Sequence, residues 1–109
     1  MKIELTGHSS NVVLALSGEI DMNSSPELRM SLLEIIRKKT PVLFVDFSGV
    51  SYIDSSGIAT FVEGLKGMMP YGGRLKFVSI PPNIAEIFGF AKLDKVFEIH
   101  GSLDDAFRS

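Results

Sequence analysis

The sequence predicts an α/β fold, a single domain over residues 1–109. We expect a mixed, mostly parallel sheet that begins with a hairpin and packs against about four helices. Segments with strand and helix periodicity alternate along the chain, roughly in the order β-β-α-β-α-β-α-β-α. The run Val42–Phe47 is apolar on both faces, which is typical of a central strand. The 109 residues are 45% hydrophobic, which suffices for one core.

The hairpin is predicted from the first 20 or so residues. Ile3 and Leu5 alternate with charged side chains, as in a strand with one buried face. The turn-forming segment His8–Asn11 follows, and the apolar run Val12–Leu16 forms the second strand. Gly18–Asp21 then reads as a strand end and a loop.

The first helix has clear start and stop signals. Ser24 and Glu27 have the spacing of a capping box, and Pro26 falls in the first turn, where its missing N–H costs little. Three basic residues at Arg37–Lys39 favour the end of the helix dipole, and Pro41 stops the helix. The predicted apolar stripe consists of Leu28, Leu32, Ile35 and Ile36, flanked by Met30 and Leu33.

The second half of the chain continues the alternation. Helical spacing from Ile58 to Met69 predicts a second helix. Its exposed face would carry Thr60, Glu63, Gly64, Lys66 and Gly67. Its glycines leave two interpretations open: close approach of a partner or a neighbouring backbone, or simple tolerance on an exposed surface. The remaining predicted elements are a strand at Arg74–Val78, a short helix that begins at Pro81–Asn83 and is capped by Gly89, a strand at Val96–Ile99, and a final helix capped by Ser102 and Asp105.

Composition and charge narrow the function. The net charge of −2 disfavours nucleic acid as the main partner, because phosphate binding needs a basic face. The chain has no cysteine, which excludes disulfides and thiolate metal sites. No apolar run approaches the roughly 20 residues that span a bilayer, and the first residues do not resemble a signal peptide. We therefore expect a cytoplasmic protein without membrane insertion.

Catalytic motifs are missing from the sequence. The two histidines, His8 and His100, have no spacing that would bring either of them to a serine nucleophile. The segment Asp54–Gly57 has no glycine ahead of its serines, so it is not a nucleophile elbow. No phosphate-binding loop and no histidine or cysteine cluster is present. We expect no enzymatic activity, no cofactor and no metal site.

The most informative segment is Asp54-Ser55-Ser56-Gly57, between the central strand and the second helix. A serine hydroxyl at a helix N-terminus is exposed, and an added phosphate there would meet unpaired backbone N–H groups. The segment therefore suggests reversible phosphorylation. The alternative is that the serines only cap the helix.

Two further carboxylates are predicted to lie beside these serines. Asp21 and Asp46 are each predicted to end an apolar strand, and the carboxyl ends of parallel strands meet at one edge of a sheet, next to Asp54. The alternative for Asp21 and Asp46 is that they accept hydrogen bonds from loop amides.

Three segments resemble the STAS domain of anti-sigma factor antagonists: Gly18–Asp21, Val45–Ile58 and Gly89–Phe97. The resemblance covers essentially the whole chain, and the Asp-Ser-Ser-Gly loop is its most specific part. It implies a STAS-like fold. It also implies a regulator whose unphosphorylated form binds an anti-sigma factor that is also a serine kinase, which frees a sigma factor. Phosphorylation ends the complex, and a serine phosphatase restores it.

The resemblance also implies roles for individual residues. Ser55 would be the phosphoacceptor and Ser56 a neighbouring small hydroxyl. Asp54 and Asp21 would shape the loop and the surface that faces the kinase. Gly57 would let the backbone turn into the helix, with a positive φ that a β-branched residue would resist.

Other functions fit the same resemblance. STAS domains also serve as phosphorylation-independent scaffolds, for example as subunits of lipid-transport ABC complexes or of other signalling assemblies. The Ser-Ser-Gly loop favours the antagonist, since the lipid-transport subunits more often carry a threonine-type loop. The sequence leaves open the downstream output and the oligomeric state. The exposed face near Glu63, Gly64 and Gly67 is a candidate contact surface.

Overall fold

The computed structural model describes residues 1–7 and 11–109, and its elements follow the predicted alternation. Residues 8–10 of the predicted hairpin turn lie outside the described residues. The strands are β1 (Lys2–Gly7), β2 (Asn11–Ile20), β3 (Val42–Ile53), β4 (Arg74–Val78) and β5 (Glu98–His100). The helices are α1 (Ser25–Arg37), α2 (Ser55–Met68), α3 (Pro82–Phe90) and α4 (Leu103–Arg108), and a short 3₁₀ turn, Met69–Tyr71, follows α2.

All five strands form one sheet, in the spatial order β1-β2-β3-β4-β5. The β1–β2 pair is antiparallel and the other three pairs are parallel. This confirms the predicted α/β class with an N-terminal hairpin. Parallel neighbours in sequence order need right-handed crossovers, and these place their connecting helices on the same face of the sheet. Accordingly, residues of α1, α2 and α3 share one core with the sheet.

Five phenylalanines form the centre of this larger core. They come from β3, α2, β4, α3 and the segment before β5, and their ring centroids lie 4.5 to 6.0 Å apart; they are Phe47, Phe61, Phe77, Phe88 and Phe97. All five are buried. Edge-to-face and offset contacts of this kind add to the free energy gained from apolar burial. The aromatic cluster therefore binds both central strands to α2 and α3.

A smaller cluster lies on the opposite face of the sheet, beneath α4. Phe44, Val78 and Ala106 form it, and the ring of Phe107 lies 4.5 Å from that of Phe44. The Ser102 hydroxyl accepts a hydrogen bond from the Asp105 N–H at 3.2 Å, so the predicted cap of this helix is confirmed. Outside α4, this face of the sheet carries no helix among the described residues.

The second helix is rotated relative to the prediction. Thr60 and Gly64 are buried rather than exposed. Gly64 is buried because α1 packs against it. A Cβ at Gly64 would lie 3.2 Å from Leu32, and one at Gly67 would lie 2.6 Å from Ile36. The glycines therefore allow close approach of a neighbouring helix of the same chain. The proposed contact surface near Glu63, Gly64 and Gly67 is wrong for both glycines, whose sides are covered by α1.

Two predicted helix ends are also wrong in detail. Ser24 occupies the N-cap position of α1, but its hydroxyl makes no capping hydrogen bond to the helix. Gly89 lies inside α3, and the chain leaves the helix through Ala91 and then Lys92, whose φ is +59°. A non-glycine residue takes the left-handed turn because the Leu93 N–H bonds back to the Phe88 carbonyl at 2.9 Å.

The central strand is longer than predicted. It extends from Val42 to Ile53, so Asp46 lies within β3 and does not end it. Pairing with β4 stops at Asp46, whereas pairing with β2 continues to Ile53, through two register shifts. The last part of β3, after Asp46, is therefore paired with β2 alone and extends beyond the end of β4. Among the described residues, no helix is long and apolar enough to cross a membrane.

Candidate phosphorylation site

The candidate site is built where β2 and β3 end together. Ile20 and Ile53 are register partners at the ends of these parallel strands. The next residue of β3, Asp54, donates its N–H to the Ile20 carbonyl at 3.1 Å. Because Asp21 directly follows Ile20, the two aspartate loops lie side by side at this edge. The predicted convergence of Asp21 and Asp54 is thus supported by the backbone geometry.

Asp54, and neither serine, caps helix α2. Its backbone is extended, and its Oδ1 accepts hydrogen bonds from the N–H groups of Ser56 at 2.9 Å and Gly57 at 3.3 Å. An aspartate in this position satisfies orphan N–H groups and favours the positive end of the helix dipole. The alternative function for the serines, simple capping, is therefore wrong.

Because of these hydrogen bonds, the expectation that a phosphate would meet unpaired backbone N–H groups is wrong for Ser56 and Gly57. Two of the N–H groups that were expected to be free for a phosphate already bind the Asp54 carboxylate. A phosphate on Ser55 would have to compete with that carboxylate for them. Phosphorylation at this position would therefore add negative charge at the surface instead of filling a vacant anion site.

The two serines differ in accessibility. Ser55 is the first residue of α2 and is exposed. Ser56 is half-buried, and its carbonyl accepts a hydrogen bond from the Thr60 hydroxyl at 2.8 Å. Thr60 is itself buried. Of the two hydroxyls, that of Ser55 is therefore the more open to an enzyme.

Gly57 is required by close packing and not by its backbone conformation. Its φ is outside the left-handed region, so the predicted positive φ is wrong. A Cβ at this position would lie 2.7 Å from the side chain of Ile20 and 2.8 Å from that of Ile53. The first turn of α2 thus sits directly on the ends of β2 and β3, and only glycine permits that approach.

The Asp21 loop is a compact hydrogen-bonded turn. The Asp21 carboxylate accepts from the N–H groups of Asn23 at 2.9 Å and Ser24 at 3.1 Å. The Ser24 hydroxyl donates to the Glu19 carbonyl at 2.8 Å and accepts from the Asp21 N–H at 2.9 Å. Ser24 therefore closes the loop instead of capping α1. The spacing Asp-x-x-Ser is the sequence signal for such a turn.

The hydrogen bonds of this loop lower the pKa of the Asp21 carboxyl. The N–H of Ser24 is the main cause that lowers the pKa of the Asp21 carboxyl, and the N–H of Asn23 and the Ser24 hydroxyl lower it further. Partial desolvation opposes them. Asp21 is therefore held as a carboxylate beside the N-terminus of α2.

Asp46 does not belong to this group. It lies within β3, and its Oδ1 accepts from the Ser48 N–H at 2.9 Å. The alternative considered for it, that it satisfies a nearby backbone amide, is confirmed. For Asp21 the same alternative also holds, although Asp21 remains part of the site.

Two exposed apolar side chains near the site were not predicted. Met22 follows Asp21 and is 72% exposed, and Tyr52 lies two residues before Asp54 and is 47% exposed. The strand-forming residues Val50, Tyr52 and Ile53 were the signal that β3 continues to the site. No pattern in the sequence indicated the exposure of Met22.

Comparison with known proteins supports the class of protein that the fold and site define. The STAS domain family model matches residues 2–106, so the chain belongs to the STAS domain family. An anti-sigma-B factor antagonist of Bacillus subtilis is 26% identical over 99 residues, which cover 91% of this chain and 90% of that protein.

Solved structures show the same fold. The crystal structure of an anti-sigma factor antagonist from Mycobacterium paratuberculosis matches with a TM-score of 0.88 and 26% identity, over 98% of this chain and 91% of that one. The anti-sigma factor antagonist SpoIIAA in its unphosphorylated form matches with a TM-score of 0.84 and 20% identity, over 97% and 93% of the two chains. The phosphorylated form of SpoIIAA from Bacillus matches with a TM-score of 0.76, over 98% and 97%.

Proposed function

We propose that this chain is an anti-sigma factor antagonist controlled by phosphorylation of Ser55. In its unphosphorylated form it binds an anti-sigma factor that is also a serine kinase, and so frees a sigma factor. Membership of the STAS family and relatives named as antagonists of anti-sigma factors support this function. The observation that carries it is the exposed Ser55 hydroxyl at the first position of α2, at the edge where β2 and β3 end.

Ser55 is a better acceptor than Ser56 for a geometric reason. A kinase must align the hydroxyl with the γ-phosphate of ATP, which requires room around the oxygen. Ser55 is exposed, whereas Ser56 is half-buried. Asp54, Asp21 and Gly57 contribute by holding the backbone: Asp54 fixes the first turn of α2, and Gly57 lets that turn sit on the strands.

The local charges explain how a phosphate would end binding. A phosphoserine carries about −1.5 to −2 charges at pH 7. It would lie next to the carboxylate of Asp54, which already holds the N–H groups of Ser56 and Gly57. In a packed complex this added charge would have to be desolvated, and it would repel any acidic group of the partner. A serine phosphatase removes the charge and restores binding.

The test uses the chain itself as bait in a lysate of its native cell. Ser55→Ala should retain an anti-sigma factor with a kinase domain, and Ser55→Asp should release it. The matched control is Ser56→Ala, which should bind and release like the wild type. The retained proteins are identified by mass spectrometry, and the captured kinase is then incubated with ATP and each variant. Phosphate should appear on the wild type and Ser56→Ala, and be absent from Ser55→Ala.

Three outcomes would contradict this function. Equal binding of the kinase by Ser55→Ala and Ser55→Asp would remove the switch. Phosphate on Ser55→Ala and its loss in Ser56→Ala would move the acceptor by one residue. Transporter ATPase and permease subunits retained equally by both baits would make the chain a phosphorylation-independent scaffold.

A further inference from the structure

The outer face of α1 has no partner within the described part of the chain. Helix residues advance by about 100° each, so residues three, four and seven positions apart share a face. Met30 and Leu33, which were expected to flank the buried stripe, instead point outward and are 73% and 56% exposed. The other exposed residues of this face are Pro26, Glu27, Glu34 and Arg37.

The charged and apolar residues of this face are arranged so that the face would match a second copy of itself in reversed orientation. The acidic Glu27 lies in the first turn and the basic Arg37 in the last, with Met30 and Leu33 between them. The midpoint between Glu27 and Arg37 falls at residue 32, and that between Met30 and Leu33 falls between residues 31 and 32. A two-fold axis beside this point would place Met30 against Leu33 of a second copy, and Glu27 against Arg37 at both ends.

We propose that α1 is a dimerisation surface, on which a second copy of this chain packs its own α1 in antiparallel orientation. Such an isologous contact is the commonest form of homodimer. The Nε and one terminal nitrogen of Arg37 bind Glu34 of the same helix at 3.1 and 2.5 Å. A guanidinium has N–H groups on a second terminal nitrogen, and these would reach the Glu27 carboxylate of the second copy.

The size of the surface sets the expected strength. A helix of 13 residues is about 20 Å long, and one helix pair buries less than the roughly 1,200 Å² of a stable interface. The dimer is therefore weak, with a dissociation constant between about 10 μM and 1 mM. The axis lies near the middle of α1, whereas Ser55 lies at the edge where α1 begins. In the dimer the two Ser55 sites are at opposite ends and stay open.

Sedimentation velocity of the full chain, from about 10 μM to 1 mM, tests the dimer. The wild type should dimerise increasingly with concentration, and Met30→Glu should raise the dissociation constant at least about tenfold, because charges would meet in the apolar centre. Phe90→Glu is the control, since Phe90 is 83% exposed on α3 and should leave the dimer unchanged. Circular dichroism verifies that each variant is folded.

A charge exchange distinguishes the antiparallel pairing from other contacts. Glu27→Lys alone places two cations together at each end, and Arg37→Glu alone places two carboxylates together, so each variant should dimerise at least about tenfold less well than the wild type. An equimolar mixture of the two variants restores an opposite-charge pair at both ends. The mixture should therefore dimerise where neither variant does.

The proposal is overturned if the wild type is monomeric at about 1 mM, if Met30→Glu dimerises as well as the wild type, or if the mixture of charge variants stays monomeric. These outcomes do not depend on phosphorylation. Met30→Glu should still retain the kinase when it is used as bait. This result would show that the dimerisation surface on α1 and the Ser55 site act independently.

Discussion

At the scale of single residues, the site is organised by two carboxylates that bind backbone N–H groups. Asp54 caps α2 and so leaves Ser55 free of a structural role. Asp21 organises the adjacent loop through Asn23 and Ser24. A hydroxyl that holds nothing together can be modified without unfolding the chain. Under the proposed function, this freedom from structural contacts would let Ser55 act as the switch.

The pH dependence of stability tests the Asp21 turn. Its carboxyl pKa is lowered in the folded chain, chiefly by the Ser24 N–H, so its stabilising contribution is present above about pH 4 and is lost as the pH falls through the folded-state pKa. We expect the difference in unfolding free energy between the wild type and Asp21→Asn to be constant from about pH 7 to pH 5 and to shrink below about pH 4. Urea unfolding at each pH measures it.

The control for this prediction is Ser24→Ala, which removes the hydroxyl but keeps the N–H that is the main cause of the shift. In that background a pH-dependent difference of the same sign, but smaller, should persist when Asp21 is replaced, because the hydroxyl also lowers the pKa. A difference that stays constant down to about pH 3 would contradict the lowered pKa.

At the scale of elements, glycines decide how closely helices approach the sheet and each other. Gly57 lets α2 begin against Ile20 and Ile53, and Gly64 and Gly67 let α1 pack on α2. Each of these helical glycines costs conformational entropy, which the close contact offsets. Gly89 is different, because a Cβ there would meet no atom within 4 Å.

Alanine substitutions at two helical glycines should therefore have opposite effects. Gly57→Ala inserts a methyl group 2.7 Å from Ile20 and 2.8 Å from Ile53, and we expect it to lower the free energy of unfolding by about 1–3 kcal/mol. Gly89→Ala, in open space within α3, should raise it by up to about 1 kcal/mol. Urea unfolding compares both with the wild type. Equal stabilisation by the two alanines would contradict the close packing of Gly57.

At the scale of the whole molecule, the two faces of the sheet are covered very differently. Three helices pack on one face, whereas the other is covered by the six residues of α4. A helix this short is not stable alone, so its contacts must hold it. Lys76 is 3% exposed beneath it, and its Nζ donates to the Ala106 carbonyl and the Ser109 hydroxyl, both at 2.8 Å. The Lys76 ammonium thus anchors the C-terminal end of α4.

Removal of this ammonium should loosen α4 selectively. Lys76→Met keeps the apolar stem and removes the charged donor of two hydrogen bonds, to the Ala106 carbonyl and the Ser109 hydroxyl, which costs about 1–3 kcal/mol. We expect faster hydrogen exchange in α4 with little change in α1–α3, as measured by mass spectrometry of peptides. Lys66→Met, at an exposed position of α2, is the matched control. Uniform acceleration across the molecule, or none in α4, would contradict the anchoring role.

The sequence by itself determined the order of the elements and the place of the Asp-Ser-Ser-Gly segment in the fold. Periodicity located the longer strands and helices, since one buried face imposes a repeat of 2 or about 3.6 residues. Turn and capping residues located the two short helices α3 and α4. Arg74–Val78 was predicted with its observed bounds, and Ser102 was recognised as a cap. The Asp-Ser-Ser-Gly segment was correctly placed between a central strand and a helix, because both of its neighbours have strong local patterns.

Only the tertiary structure decided the roles that depend on residues distant in sequence. The need for glycine at position 57 comes from Ile20, and the burial of Gly64 comes from Leu32. Local propensity carries no information about either contact. The outward position of Met30 likewise depends on how α1 is rotated against α2. The apolar residues of α1 spread around too much of the helix for the sequence to show which of them face the core. Close packing between elements, which no local pattern encodes, set these details.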